Sequence, residues 1–252
     1  MIRNRWEAIE IKYVYYLLVF FLITGNWVSS GFAKDSFEYK GKEDVTGDGK
    51  EDVILLEQSE NEELLQLKIG EENQFITVPL ADGEDAKLSI VDMNEDGVKD
   101  ILITIQSENN EEVNGFAYSF KNQQQKNLKT PPILTIHTKM LDHYKAEVSI
   151  LCKTHIVDIS KYKKHFEAEG IYKKGIIANS DSLEVSDYIQ LKPIITTSGK
   201  GIRGEQKIIE SGTGRSIGKI ISAWFYKDDK WNLEDIEFET PLKNTKHYLH
   251  IN

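Results

Sequence analysis

The stretch "DVTGDGKEDVILL", residues 44–56, joins an acidic, glycine-bearing loop to a short apolar run. A second copy of the plan, "DMNEDGVKDILIT", occupies residues 92–104. The same offset of 48 residues lays Gln58-Ser59-Glu60-Asn61 over Gln106-Ser107-Glu108-Asn109. Two features that share one offset mark an internal repeat rather than two accidental turns. In each copy the loop leads into a run rich in β-branched residues, Val53 to Leu56 and Ile101 to Ile105, which reads as a buried strand. The polar "QSEN" that follows reads as a turn, and "LLQLKIG" or "GFAYSF" as the returning strand. A further strand, "AKLSIVD", feeds the second loop. The unit is strand, acidic loop, strand, turn, strand, which predicts an all-β, mainly antiparallel fold.

The loops have the composition of a hard-cation site. Calcium takes six to eight oxygen ligands from a chain that bends sharply around it. The first loop offers Asp44, Asp48 and Asp52 at positions one, five and nine, the Thr46 hydroxyl at three and the Lys50 carbonyl at seven. The second offers Asp92, Asn94, Asp96 and Asp100, with the Val98 carbonyl at seven. Gly49 and Gly97 stand at position six, where a side chain would obstruct the bend. Neither loop contains the thiolate or imidazole that softer metals require. An ordinary solvated turn uses the same residues and is the bland alternative. An EF-hand is excluded, because its bidentate Glu at position twelve is replaced by Leu55 and Ile103.

A "DxDxDGxxD" loop set between β-strands resembles the FG-GAP repeats of integrin α-chains and the related VCBS-type repeats of small secreted bacterial proteins. The resemblance covers residues 38–120 and implies two calcium sites in a partial propeller-like or open β arrangement. The usual Asp or Asn at position three is Thr46 in the first loop, which implies that the first site is the weaker.

Composition narrows the partners. Against 31 Lys+Arg stand 41 Asp+Glu, a net charge of −10 that disfavours nucleic acid and anionic membrane surfaces. The single cysteine, Cys152, excludes an internal disulfide; within "EVSILCKTHIV" it reads as a small hydrophobe on a strand. Residues 1–33 carry Arg3, Arg5 and Lys12 ahead of an apolar run and end on small residues at Ala33. That order is a secretory signal peptide cleaved after Ala33, with an uncleaved N-terminal anchor as the rival. Either places the remainder at the cell surface or outside, and membrane contact arises only through such an anchor.

The organisation expected is residues 34–125 as calcium-binding repeats, "KNQQQKNLKTPP" (121–132) as a linker, and 131–252 as a β-rich region. Within the latter, "DISKYKKHFEAEG" reads as one short helix capped by Asp158 or Ser160 and ended at Gly170. "SAWFYKDDKWNLEDIEF" reads as a hairpin whose Trp224, Phe225, Tyr226 and Trp231 serve the core. "TTSGKG" (196–201) aligns with "DVTGDG" as a decayed loop, in which Lys200 stands where a cation would sit. The literal G-x-G-x-x-G at 199–204 lacks the strand–turn–helix setting of a dinucleotide site. No histidine spacing, nucleophile elbow or convincing carboxylate pair supports catalysis. The function expected is a non-enzymatic structural, adhesion or interaction role, with an extracellular protein or polysaccharide as partner. The alternatives are a secreted hydrolase of cell-wall polymer or polysaccharide, and a calcium-dependent accessory of another exported protein.

Overall fold

The structure is a computed structural model that describes residues 39–59, 64–71, 74–107, 111–151, 153–179, 183–212, 214–239 and 246–250. The signal peptide or anchor expected over residues 1–33, and Cys152, lie outside the described residues. No helix among the described residues is long and apolar enough to cross a membrane.

The first sheet has four antiparallel strands in chain order: β1 (Tyr39–Glu43), β2 (Asp52–Gln58), β3 (Leu65–Glu71) and β4 (Gln74–Pro79). The second repeats it with β5 (Glu84–Val91), β6 (Asp100–Gln106), β7 (Val113–Ser119) and a short β8 (Lys126–Asn127). The 48-residue offset extends to the pairing register. Glu43 pairs with Asp52 as Val91 pairs with Asp100, and Val53 pairs with Gly70 as Ile101 pairs with Tyr118. Even the turn bond recurs, Ser59 N–H to Leu64 O at 2.8 Å and Ser107 N–H to Glu112 O at 2.9 Å.

The two sheets share a core of Val45, Ile54, Leu56, Leu67, Ile69, Ile101, Ile103, Ile105 and Phe120. Strand β6 is buried on both faces. Ile101, Ile103 and Ile105 face the first sheet, while Leu102 joins a second cluster with Met93, Tyr188, Leu191 and Ile202. A strand in a middle layer has no solvent face, which is why Ile101–Ile105 reads as a continuous apolar run instead of an alternation.

Beyond it lie a three-stranded sheet, β9 (Ile136–Leu141), β10 (Lys145–Ile150) and β11 (Lys153–Asp158), and a small hairpin of β12 (Tyr172–Lys173) and β13 (Ile176–Ile177). A five-stranded antiparallel meander follows: β14 (Leu183–Thr196), β15 (Gly199–Glu210), β16 (Ser216–Lys227), β17 (Lys230–Glu239) and β18 (Lys246–His250). One α-helix is present among the described residues, α1 (Lys163–Ala168), entered through a 3-10 turn at Ser160–Tyr162. Asp158 accepts the Ser160 N–H at 2.8 Å, but neither Asp158 nor Ser160 caps the helix as expected: its N-cap is Tyr162, which makes no side-chain capping bond. Gly170 at φ +75° lets the Ile171 N–H reach Phe166 O at 2.9 Å, the six-to-one bond that closes a helix C-terminus. Phe166 then packs with Tyr172, Val148, Trp224 and Phe238 in the largest core.

The β16–β17 hairpin turns at Asp228 and Asp229, both at positive φ (54° and 58°), which is the two-residue turn that matches strand twist. Trp224 is buried, with its indole N–H on Ser222 Oγ at 2.8 Å, and Trp231 donates to Leu128 O at 3.2 Å.

Three further expectations are corrected. The residues on either side of position 152 are not one strand: 145–150 and 153–158 pair as β10 and β11, with Ile150 opposite Lys153 and Leu151 at φ +46°. Residues 121–132 are not a loose linker: β8 pairs with β7, and Leu128 is buried. Residues 196–201 do not reproduce the acidic loop. Thr196 pairs directly with Gly199, so only a two-residue turn separates β14 from β15.

Candidate metal centre

Both acidic loops are built the same way. Asp52, the first residue of β2, turns its carboxylate back into the loop and accepts the Val45 and Thr46 N–H groups on Oδ2, each at 3.0 Å. Asp100, the first residue of β6, accepts the Met93 and Asn94 N–H groups on Oδ2 at 2.8 and 3.1 Å. At position five, Asp48 Oδ1 accepts the Lys50 N–H at 2.8 Å and Asp96 Oδ1 the Val98 N–H at 3.0 Å. Gly49 and Gly97 have φ of +85° and +88°, with open space where a side chain would be. Val45 and Met93 are fully buried and pin each loop to its sheet.

Position one differs in detail. Asp44 accepts the Gly47 and Gly49 N–H groups at 2.6 and 2.9 Å. Asp92 accepts the Asp96 N–H at 3.1 Å, which Asn94 Oδ1 shares at 3.0 Å.

Two buried oxygens bear on whether a cation suits these loops. Thr46 is 3% exposed and its hydroxyl has no hydrogen-bond partner among the described residues. Asp100 is 0% exposed, and its Oδ1 has no hydrogen bond of good geometry, although the Ser119 hydroxyl beside it favours the charged form. Burial pushes the Asp100 carboxyl up to about 6, against the pull of the Met93 and Asn94 N–H groups and with a smaller push from Asp96. Buried polar oxygens are ordinarily satisfied, so the Thr46 hydroxyl in particular calls for a partner. Their chemistry, with the Lys50 and Val98 carbonyls, is all oxygen and fits calcium. Among the described residues no three His, Cys, Asp or Glu side chains gather in the manner of a ready metal cluster. The ligand set named in the sequence lies within one loop in each copy, but its carboxylates turn to backbone N–H groups and are not gathered around one point.

The loops touch. A side-chain carbon on Gly47 would stand 2.6 Å from Val98 Cγ2, and Lys99 pairs with Glu43 at 2.9 Å. The segment after β7 straps both: the Asn122 N–H donates to Thr46 O and the Lys121 ammonium to Asp96 O, each at 2.8 Å. The first loop also opens on a cavity of about 350 Å³, where Thr46, Asp48 and Asp52 face Glu71, Gln74 and Gln123.

The sequence did not point to Lys121, which lay in the apparent linker, nor to the place of Lys200. That lysine lies beside a loop carboxylate, but one of the second loop: its ammonium is 3.4 Å from Asp92 Oδ2.

No curated protein and no solved structure matches this chain. Residues 134–239, which run from just before β9 to the end of β17 and leave both acidic loops outside, match the family model of the YybI C-terminal domain.

Proposed function

We propose that the chain is an exported calcium-binding β-repeat protein whose loops at residues 44–52 and 92–100 each hold one ion in a structural role. The observation that carries the reading is the duplicated loop, with the buried Thr46 hydroxyl of the first copy left without a hydrogen-bond partner among the described residues and the Asp100 carboxylate buried in the second. A bound calcium ion would supply positive charge beside the three carboxylates of each loop. Asp44, Thr46, Asp48 and Asp52, with the Lys50 carbonyl, would hold the first ion. Asp92, Asn94, Asp96 and Asp100, with the Val98 carbonyl, would hold the second. The chain's own share of the work is done by Asp52 and Asp100, which tie loop to strand, and by the glycines that permit the bend.

The resemblance to FG-GAP and VCBS-type repeats supports the same reading, and the order of residues 1–33 supports export. The role that follows is structural, adhesive or interactive at the cell surface or outside it, toward a protein or polysaccharide partner. Equilibrium dialysis of the full chain against calcium after EDTA treatment tests it. Two ions bound per chain support the reading, and none bound removes it.

A further inference from the structure

Two ammonium groups converge on the second loop from distant parts of the chain. Lys200, at the start of β15, lies 3.4 Å from Asp92 Oδ2. Lys121, just after β7, lies 3.5 Å from Asp96 Oδ1 and donates to the Asp96 carbonyl at 2.8 Å. These are positions one and five of the loop, two of its three carboxylates. Among the described residues no lysine or arginine pairs with Asp44, Asp48 or Asp52. Lys50, within that loop, lies 3.8 Å from Glu71 instead. The two loops therefore share a backbone and differ in their counter-ions.

The contact with Lys200 is held in place by the backbone. Its N–H donates to Glu95 Oε1 at 3.1 Å, and Gly199 backs so closely on Glu95 that a side-chain carbon there would be 2.3 Å from the same oxygen. The hairpin between β14 and β15 is thus fixed against the second loop while the lysine side chain stays 40% exposed. Its ammonium can swing into water without undocking the hairpin.

We propose that Lys200 and Lys121 are built-in counter-ions of the second loop, so that calcium occupies it only by displacing them. The consequence, which rests on the calcium reading above, is a fixed order of filling. The first loop binds more tightly despite Thr46 at position three, and the second fills at higher calcium.

Calorimetric titration of the full chain with calcium tests this. Asp48→Ala removes the first site and isolates the second, and Lys200→Met, Lys121→Met and their combination are then made in that background. The expected result is two unequal sites in the unaltered chain. Replacing each lysine should tighten the second site roughly threefold, and both together roughly tenfold, the scale of one and two exposed ion pairs. Lys200→Gln serves as a polar control and should behave like Lys200→Met. Two equal sites, or an isolated second site that the lysine changes leave unaltered, would overturn the proposal while the calcium reading stands. Calcium bound by no variant would overturn both.

Discussion

Asp52 and Asp100, 48 residues apart, make the same pair of bonds: each uses Oδ2 to accept the N–H groups seven and six residues upstream. Each is the first residue of a buried inner strand, so each ties its loop to the start of that strand.

That separates the roles of position nine and position five. Asp100→Ala leaves two buried N–H groups without an acceptor and should cost about 2–4 kcal/mol in urea unfolding measured in EDTA. Asp100→Asn keeps an acceptor oxygen and should cost less. Asp96→Ala, at an exposed position, should cost about 1 kcal/mol or less in EDTA. A loss for Asp96→Ala as large as that for Asp100→Ala would contradict this division.

The loop glycines predict unequal costs. Gly49→Ala meets open space and carries only the strain of a left-handed φ, about 1–2 kcal/mol. Gly47→Ala carries the same strain at φ +77° and adds a clash with Val98 Cγ2. It should be the more destabilising, and Val98→Ala should recover the difference in a double-mutant cycle. A coupling of zero would show that the two loops do not press on each other.

Alkali should unfold the protein through two buried tyrosines. Burial raises Tyr172 and Tyr188 from 10.0 to about 12, and their hydroxyls donate to Leu141 O at 2.6 Å and to Pro132 O at 2.8 Å. A folded-state value above the unfolded one gives stability that is whole below pH 10 and is lost as pH rises toward 12. Chemical denaturation at pH 9, 10.5 and 11.5 should show a falling midpoint. Tyr188→Phe should flatten part of that fall, and an unchanged slope would contradict the assignment.

The repeat was legible because its signals are local. Aspartates at fixed offsets before β-branched runs forecast β2 and β6, and the period-two pattern around Lys227–Lys230 forecast the β16–β17 hairpin. Strand β4 has no such signal; half of "QFITVP" faces solvent, and its place is set by pairing with β3. Leu128 made no pattern within a polar stretch, yet the sheet buries it. The contacts of Lys121 with Asp96 and of Lys200 with Asp92 span 25 and 108 residues, and only the packing of the second sheet on the five-stranded one brings the latter about.

Thermal melting of the full chain in millimolar calcium and in EDTA, repeated with Asp48→Ala and Asp96→Ala, tests the central claim most directly. An ion held tenfold more tightly than its free concentration adds about 1.4 kcal/mol. Two such sites should raise Tm by roughly 6–11 °C, and each substitution should remove a distinct part of that rise. A melting curve that calcium leaves unmoved would contradict the account and reduce residues 44–52 and 92–100 to turns.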